Sequence, residues 1–294
     1  MKRSFVPGII DVTRVSDADE IRKLVEDQRL DRKFDSRWPL LNAVFLRRVL
    51  QALSFGGHRF PTLRAREDDE RAGNQSALWN QLNRRAAALN AANPDVGSLA
   101  QWVVGSGSDE ELGILTQQAI GRLFVETYTS DSESWKAARL LASAPQAKGL
   151  SKFSPRFRRK VVRAKELLAA KVNGDLAGVH GTGVAIHNVV KGFHRMRQLY
   201  RDITVRKQAS ADAIVAECLS APAMVLRQAT ENGSAPGCPY RKGAIFLLEL
   251  AAAQTKANAM DMVFLERAWS RCPADRWVPA LFQSVWKSAN IGNP

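Results

Sequence analysis

The chain has 294 residues, 45% of them hydrophobic, with 7 Trp, 12 Phe and a formal net charge of +14. That composition can fill a sizeable core, which excludes a disordered chain. The N-terminal "MKRSFVPGIIDVTRVSDADE" lacks the continuous apolar run of a secretory signal, and no stretch approaches the roughly 18–20 apolar residues of a spanning helix, so a soluble, cytoplasmic protein without a transmembrane segment is expected.

Taken in order, the chain reads as mostly helical. Ser16 precedes "DADEIRKLVEDQRL", whose acids suit a first turn. Pro39 opens "LLNAVFLRRVLQAL", where Leu40, Val44, Leu46, Val49 and Leu50 form an apolar stripe that Gly56–Gly57 ends. Residues 67–92 read as a long polar helix. Ser108 and its acids start a helix that places Leu112, Leu115, Ala119, Ile120, Leu123 and Phe124 on one face. "SDSESWKAARLLAS" is shorter, and residues 155–173 and 175–202 are two more helices. The last hundred residues change character. "ADAIVAECLSA" is helical, "MVLRQATENGSAPGCPYRKGAIFLLEL" holds short β-like runs divided by Gly and Pro, and "DRWVPALFQSVWKSA" closes as a helix. With no internal repeat or long linker, a single domain over 1–294 is expected, mainly α with a small β element near the C-terminus.

Three cysteines, Cys218, Cys238 and Cys272, are too few and too odd for a disulfide framework, and none has the spacing of a structural zinc site. The positive charge is spread among 29 acids. Its densest cluster, "SPRFRRKVVRAK" at 154–165, lacks the aromatic interleaving of a single-strand binder, and no helix-turn-helix or RNA-module signature accompanies it. A solvated helix face is favoured over a nucleic-acid site; an acidic protein or an anionic lipid headgroup would also suit such a surface. No dinucleotide fingerprint, P-loop, nucleophile elbow or H-E-x-x-H is present. His180, His187 and His194 recur every seven residues on one helix face, but neighbours stand about 10 Å apart, too far to share one metal ion.

The order of features in the C-terminal third resembles cytochrome P450: a helix with Glu217, then "LRQATENG", then "YRKGAIFLLELAAAQ", then Cys272 before Pro273–Ala274 and a helix. The resemblance covers roughly residues 175–290 and marks them as the haem-binding portion of a compact P450-like helical haem domain. It implies that Cys272 binds the iron of haem b as a thiolate, that Arg227 faces a haem propionate, and that the pair Trp135 and Arg139, spaced W-x-x-x-R, does the same. Against the family's F-x-x-G-x-R-x-C-x-G, Phe264 stands one place early, Ala268 and Ala274 replace the glycines, and Arg271 stands one place late, so Arg271 joins the cofactor-binding residues. Ser220 replaces the arginine of the family's E-x-x-R. The chain is short for the family, which implies a reduced N-terminal β-domain and substrate cover.

A thiolate is disfavoured by burial unless the iron and nearby backbone N–H groups supply compensating charge, and a helix starting after Cys272 would do so. A buried packing cysteine is the alternative. Residues 175–202 match the family's distal helix. There Gly181, Thr182 and Gly183 echo A-G-x-(D/E)-T without its acid, while His187 and Asn188 stand nearby. That shifts the expected chemistry from O2-dependent monooxygenation to peroxide or hydroperoxide conversion of a small apolar substrate, such as a fatty-acid hydroperoxide. A ferredoxin-fed monooxygenase, its basic surface meeting an acidic electron donor, is the second expectation. A haem-free helical binding module for nucleic acid or protein is the third.

Overall fold

The computed structural model describes every residue except 36, 62, 63, 69, 70, 91, 145–153, 236, 237 and 292–294, and of Cys238 only the backbone. In chain order the elements are β1 (Lys2–Val6), β2 (Ile10–Val15), α1 (Ala18–Glu26), β3 (Leu30–Asp31), α2 (Leu40–Ala52), β4 (Ser54–Phe55), β5 (His58–Arg59), α3 (Arg71–Ala86), α4 (Pro94–Val104), α5 (Asp109–Arg122), α6 (Ser132–Ser143) and α7 (Pro155–Lys171). They continue with α8 (Leu176–His180), a π-turn at Gly181–Ala185, α9 (Ile186–Arg201), α10 (Ile203–Gln208), α11 (Ala211–Cys218), β6 (Val225–Ala229), β7 (Gly233–Ala235), β8 (Cys238–Tyr240), β9 (Ile245–Leu248), α12 (Leu250–Ala253), α13 (Ala259–Phe264) and α14 (Trp277–Ile291). Two compact units result. The first comprises Met1–Gln75 and Ala221–Cys272, the second Ser76–Ser220 and Pro273–Pro294.

Unit 1 is built on a five-stranded sheet in the order β1-β2-β9-β6-β3. β9 is its centre, parallel to β2 and antiparallel to β6. All four β9 residues are buried, as expected of a strand covered on both faces. Phe246 and Leu248 pack with Val15, Ile21, Leu24 and Met262, while Ile245 and Leu247 pack with Phe34 and Leu46 on the other face. The β element expected near the C-terminus is present as β6 and β9, and the sheet extends beyond it. Three of its strands come from the first 31 residues, and an N-terminal β-element is retained. β2 escapes sequence patterning because its inward positions include Asp11 and Thr13, both buried. Asp11 is accommodated by a two-bond pair with Arg3 at 2.8 and 2.9 Å. Buried Asn42 of α2 accepts from the Asp11 N–H and donates to the carbonyls of Asp11 and Gly243. A charge left unpaired there would be costly, so Arg3 and Asn42 are conditions of the strand pairing.

Unit 2 is helical. Its central element is the run from α8 through α9, predicted as one helix over 175–202. Asp175 caps it by accepting from Ala177 and Gly178 N–H. Before it, Asn173 and Gly174 adopt left-handed φ angles of 54° and 77°, which stop α7. Phe193 of α9 meets Phe282 of α14 edge-on at 5.0 Å, and Tyr200 meets Trp286 at 5.9 Å. The basic residues Arg156, Arg158, Arg159, Lys160 and Arg163 lie on the exposed side of α7, while Val161, Ala164, Leu168 and Ala169 are buried.

Other boundaries shift modestly. Asp17, not Ser16, caps α1 by accepting from Glu20 N–H. The long polar helix predicted over 67–92 spans Arg71–Ala86. The closing helix starts at Trp277, after a turn through residues 273–276, so it does not begin at the residue next to Cys272.

Gly192 marks a close approach of three helices in unit 2. A Cβ there would strike the Phe282 ring and lie 2.6 Å from the Cys218 carbonyl oxygen. Gly192→Ala is expected to destabilise the protein by about 2 kcal/mol through forced separation of α9 from α11 and α14, read as a lowered urea midpoint with unchanged slope.

Candidate functional site

The Cys272 segment follows α13, which ends at Leu265 in the left-handed region, φ 51°. The chain then turns back through Ala268 N–H to Leu265 O and Arg271 N–H to Ala268 O, and Cys272 N–H donates to Phe264 O at 2.8 Å. Side chains far away in sequence fix the backbone leading into the cysteine. Arg71 Nη1 donates to Trp269 O at 3.2 Å, and Gln75 Nε2 to Arg271 O at 2.9 Å. These two, four apart on the first turns of α3, were missed in the sequence. The i, i+4 spacing puts them on one face, but nothing marks which face. Arg227 of β6 donates through Nη2 to Ser270 Oγ at 2.6 Å.

Around Trp269 the guanidinium carbons of Arg71, Arg32, Arg66 and Arg227 stand 4.9, 5.3, 5.3 and 5.6 Å from the ring centroid. Cation–π attraction favours such contacts, the more so when water is excluded. Arg227 is 0% exposed and Arg32 only 7%. Burial drives the Arg227 pKa well below the usual arginine range, reinforced by the Arg32 charge. Burial likewise pushes Arg32 down to about 10, although Asp31 and Cys272 favour its charged form. Asp31 is the carboxylate bonded into this cluster among the described residues; its Oδ1 accepts from the backbone N–H of Arg32 and Arg66 at 2.6 and 2.8 Å. Arg66 Nε, Arg227 Nε, Gln228 Nε2 and Trp269 Nε1 are buried without an acceptor. Among the described residues, unit 1 thus gathers four arginines and several buried donors, with Asp31 as the bonded carboxylate, beside a cysteine. That donor set fits a group carrying two carboxylates and, at Cys272, a cation that would hold a thiolate.

The remaining predicted residues lie in unit 2. Thr182, in the π-turn, is fully buried; its Oγ1 donates to Gly178 O at 2.7 Å, and its carbonyl accepts from Gln117 Nε2 at 3.0 Å. Such π-turns recur at functional sites. Here small residues permit it, since a Cβ on Gly181 would meet Phe124 at 3.0 Å and one on Gly183 would meet Leu168 at 2.8 Å. His187 Nε2 lies 3.1 Å from Ala138 O, and its ring stacks on Trp135 at 5.1 Å. A carbonyl only accepts, so this bond assigns the proton to Nε2 and leaves Nδ1 as the acceptor. Burial holds the His187 pKa below 6.5, partly offset by the Ala138 bond and helped by Lys191 and Arg139. Asn188 is half-buried, and its side chain makes no hydrogen bond among the described residues. Trp135 is buried and Arg139 exposed. His194 packs edge-on to Trp102 at 5.4 Å, and no His/Cys/Asp/Glu group able to hold a metal ion occurs among the described residues. Cys218 is buried, its thiol pushed up to about 12 by desolvation. The side chain of Cys238 lies outside the described residues.

No protein-family model matches the sequence, and no curated protein matches it. Solved structures do. The P450 RauA, complexed with a biosynthetic intermediate of aurachin RE, is 13% identical with a TM-score of 0.62, over 94% of this chain and 83% of that one. A six-coordinated cytochrome P450 from Thermus thermophilus is 14% identical with a TM-score of 0.60, over 98% and 85%. A single-residue variant of the P450 OleT, in complex with arachidonic acid, is 9% identical with a TM-score of 0.61, over 95% and 80%. The chain has the cytochrome P450 fold. The likeness runs over nearly the whole chain, beyond the residues 175–290 from which the sequence suggested it.

Two measurements test these environments. A His187 pKa below its unfolded value means that stability from the neutral ring is complete above pH 6.5. It is lost as pH falls through that value towards the lower folded-state one, because the unfolded chain takes up the proton first. His187→Phe should therefore flatten the fall in urea midpoint between about pH 7.5 and about pH 5.5. Arg227→Met removes a buried cation from a cluster in which, among the described residues, the arginines outnumber the one bonded carboxylate, Asp31. Without hemin the variant should be as stable as the parent or more stable by about 1 kcal/mol; a loss of several kcal/mol would show that the protein satisfies Arg227 by itself.

Proposed function

We propose that the chain is a haem-thiolate oxidoreductase that converts a small apolar substrate with peroxide or hydroperoxide as oxidant. What carries this reading is the arginine cluster at Trp269, in which cations outnumber carboxylates among the described residues, built around the backbone that presents Cys272. Haem b matches both needs: its iron calls for a thiolate and its propionates for buried cations. Cys272 is the proposed iron ligand. Arg227, Arg32, Arg66 and Arg71 are the proposed propionate partners, and Arg271 adds positive charge next to the cysteine. When bound through a thiolate, haem supplies an iron centre whose ligand donates electron density and favours O–O cleavage.

In unit 2 the proposal assigns proton handling to His187 and hydrogen bonding to Asn188. With Nε2–H committed to Ala138 O, Nδ1 of neutral His187 is the atom that accepts a proton from a hydroperoxide O–H. Asn188 can orient the same oxygen through its amide. Trp135 enters as the residue that holds the His187 ring by stacking, and Arg139 as a nearby charge that keeps the ring neutral. Thr182 supports peroxide rather than O2 chemistry by what it lacks. No acid precedes it, and its hydroxyl is committed to Gly178 O. An acyl substrate accords with the arachidonic acid held by the OleT variant, one of the similar structures. A ferredoxin-fed monooxygenase would differ in requiring a reductase.

The test is an absorption spectrum of the purified protein with hemin, reduced under carbon monoxide, for the parent and Cys272→Ala. A red-shifted thiolate-type band that is absent from the variant is expected, together with hydroperoxide turnover without a reductase. A colourless protein, or a band unchanged in Cys272→Ala, would overturn the assignment in favour of a haem-free helical binding protein.

A further inference from the structure

The hairpin joining β1 to β2 does not end in solvent alone. Leu40 N–H donates to Gly8 O at 3.2 Å, and Leu41 N–H to Ile9 O at 2.8 Å. These bonds fasten the hairpin tip to the first turn of α2. The side chains gathered there are large, apolar and outward. Trp38 is 64% and Leu40 53% exposed, and Val6, Ile9, Leu41 and Val44 are exposed as well. Val44 lies one turn beyond Leu40 and Leu41, so it extends the same helix face. Single exposed apolar residues need no explanation, but a contiguous group with a tryptophan does.

The charge around this group is one-sided. Residues 1–10 contain Lys2 and Arg3 and no acid; residues 37–50 contain Arg37, Arg47 and Arg48 and no acid. Lys2, Arg37 and Arg47 are exposed, Asp35 being the flanking exposed carboxylate. The next acid in the hairpin, Asp11, is buried and neutralised by Arg3. Lys2, Arg37 and Arg47 against Asp35 leave a basic bias beside the patch, which a neutral apolar protein face would not require and an anionic bilayer surface does. Tryptophan and leucine enter the headgroup boundary, while arginines and lysine meet lipid phosphates. No helix among the described residues is long and apolar enough to cross a membrane, so the contact would be peripheral.

We infer that the surface formed by the β1–β2 tip and the start of α2 binds anionic phospholipid. The occupant is a lipid surface, identified by its negative headgroups and apolar interior. This is independent of haem binding.

Flotation of the full chain with phosphatidylglycerol-containing vesicles, and with phosphatidylcholine vesicles alone, tests it. The parent should float with the anionic vesicles, detach as salt rises, and stay behind with phosphatidylcholine. Trp38→Ser combined with Leu41→Gln should lower partitioning about tenfold or more. Both positions are exposed, and an unchanged urea midpoint would confirm that the variant folds. A second variant neutralising Arg156, Arg158 and Arg159 on α7 should bind nearly as the parent does. Absence of flotation at low salt, equal binding by the Trp38/Leu41 variant, or loss confined to the α7 variant would each overturn the inference. So would a parent dimer in sedimentation that the Trp38/Leu41 variant lacks, because the patch would then be an interface between copies.

Discussion

Burial of the Arg227 guanidinium is the constraint on which unit 1 turns. A cation removed from water must find acceptors or opposing charge. Arg227 finds the Leu226 carbonyl and the Ser270 hydroxyl, but it shares its surroundings with Arg32, Arg66 and Arg71 around one indole. The sheet brings this about. β6 pairs with β9 so that Arg227 lies opposite Phe246, and with β3 so that Gln228 lies opposite Asp31. A one-residue slip of β6 would send Arg227 to the opposite face. The register that buries Phe246 and Leu248 in the core therefore also fixes the cation beside the segment of Cys272. Among the described residues the fold thus sets four guanidinium groups about one indole, with Asp31 as the carboxylate bonded to the same backbone.

Unit 2 is organised around close approach instead of charge. The π-turn at Gly181–Ala185 exists where two glycines let Phe124 and Leu168 come against the helix backbone. Thr182 is drawn inward and spends its hydroxyl on its own helix. One turn later, His187 is held on both sides, by the Trp135 ring and the Ala138 carbonyl. This leaves a single ring nitrogen as acceptor and a proton affinity reduced by burial. That the ring is neutral with one assigned acceptor atom comes from packing and not from the motif in which the histidine sits.

Much of the helical framework could be read from the sequence. Ser108, read as a helix start, caps α5 by accepting a backbone N–H, and the apolar spacing of the 108–124 segment corresponds to α5. These signals are local: a cap or a stripe acts within a turn or two of itself. The β1 and β2 strands were not legible, because Asp11 and Thr13 occupy inward positions and make sense only with Arg3 and Asn42 in place.

The sequence by itself determined a mainly helical chain, the order of elements resembling cytochrome P450, and a cysteine at the point in that order where the family binds iron. Only the tertiary structure decided which cations stand near that cysteine's segment. Trp135 and Arg139 have a recognisable spacing, yet Trp135 is spent on His187 and Arg139 faces solvent. Arg71 and Gln75, without a recognisable motif, clasp the carbonyls on either side of Ser270. The physical reason is reach. Spacing along a helix says which residues share a face, whereas the face that meets a loop some two hundred residues away is set by strand register and by the packing of side chains distant in the chain.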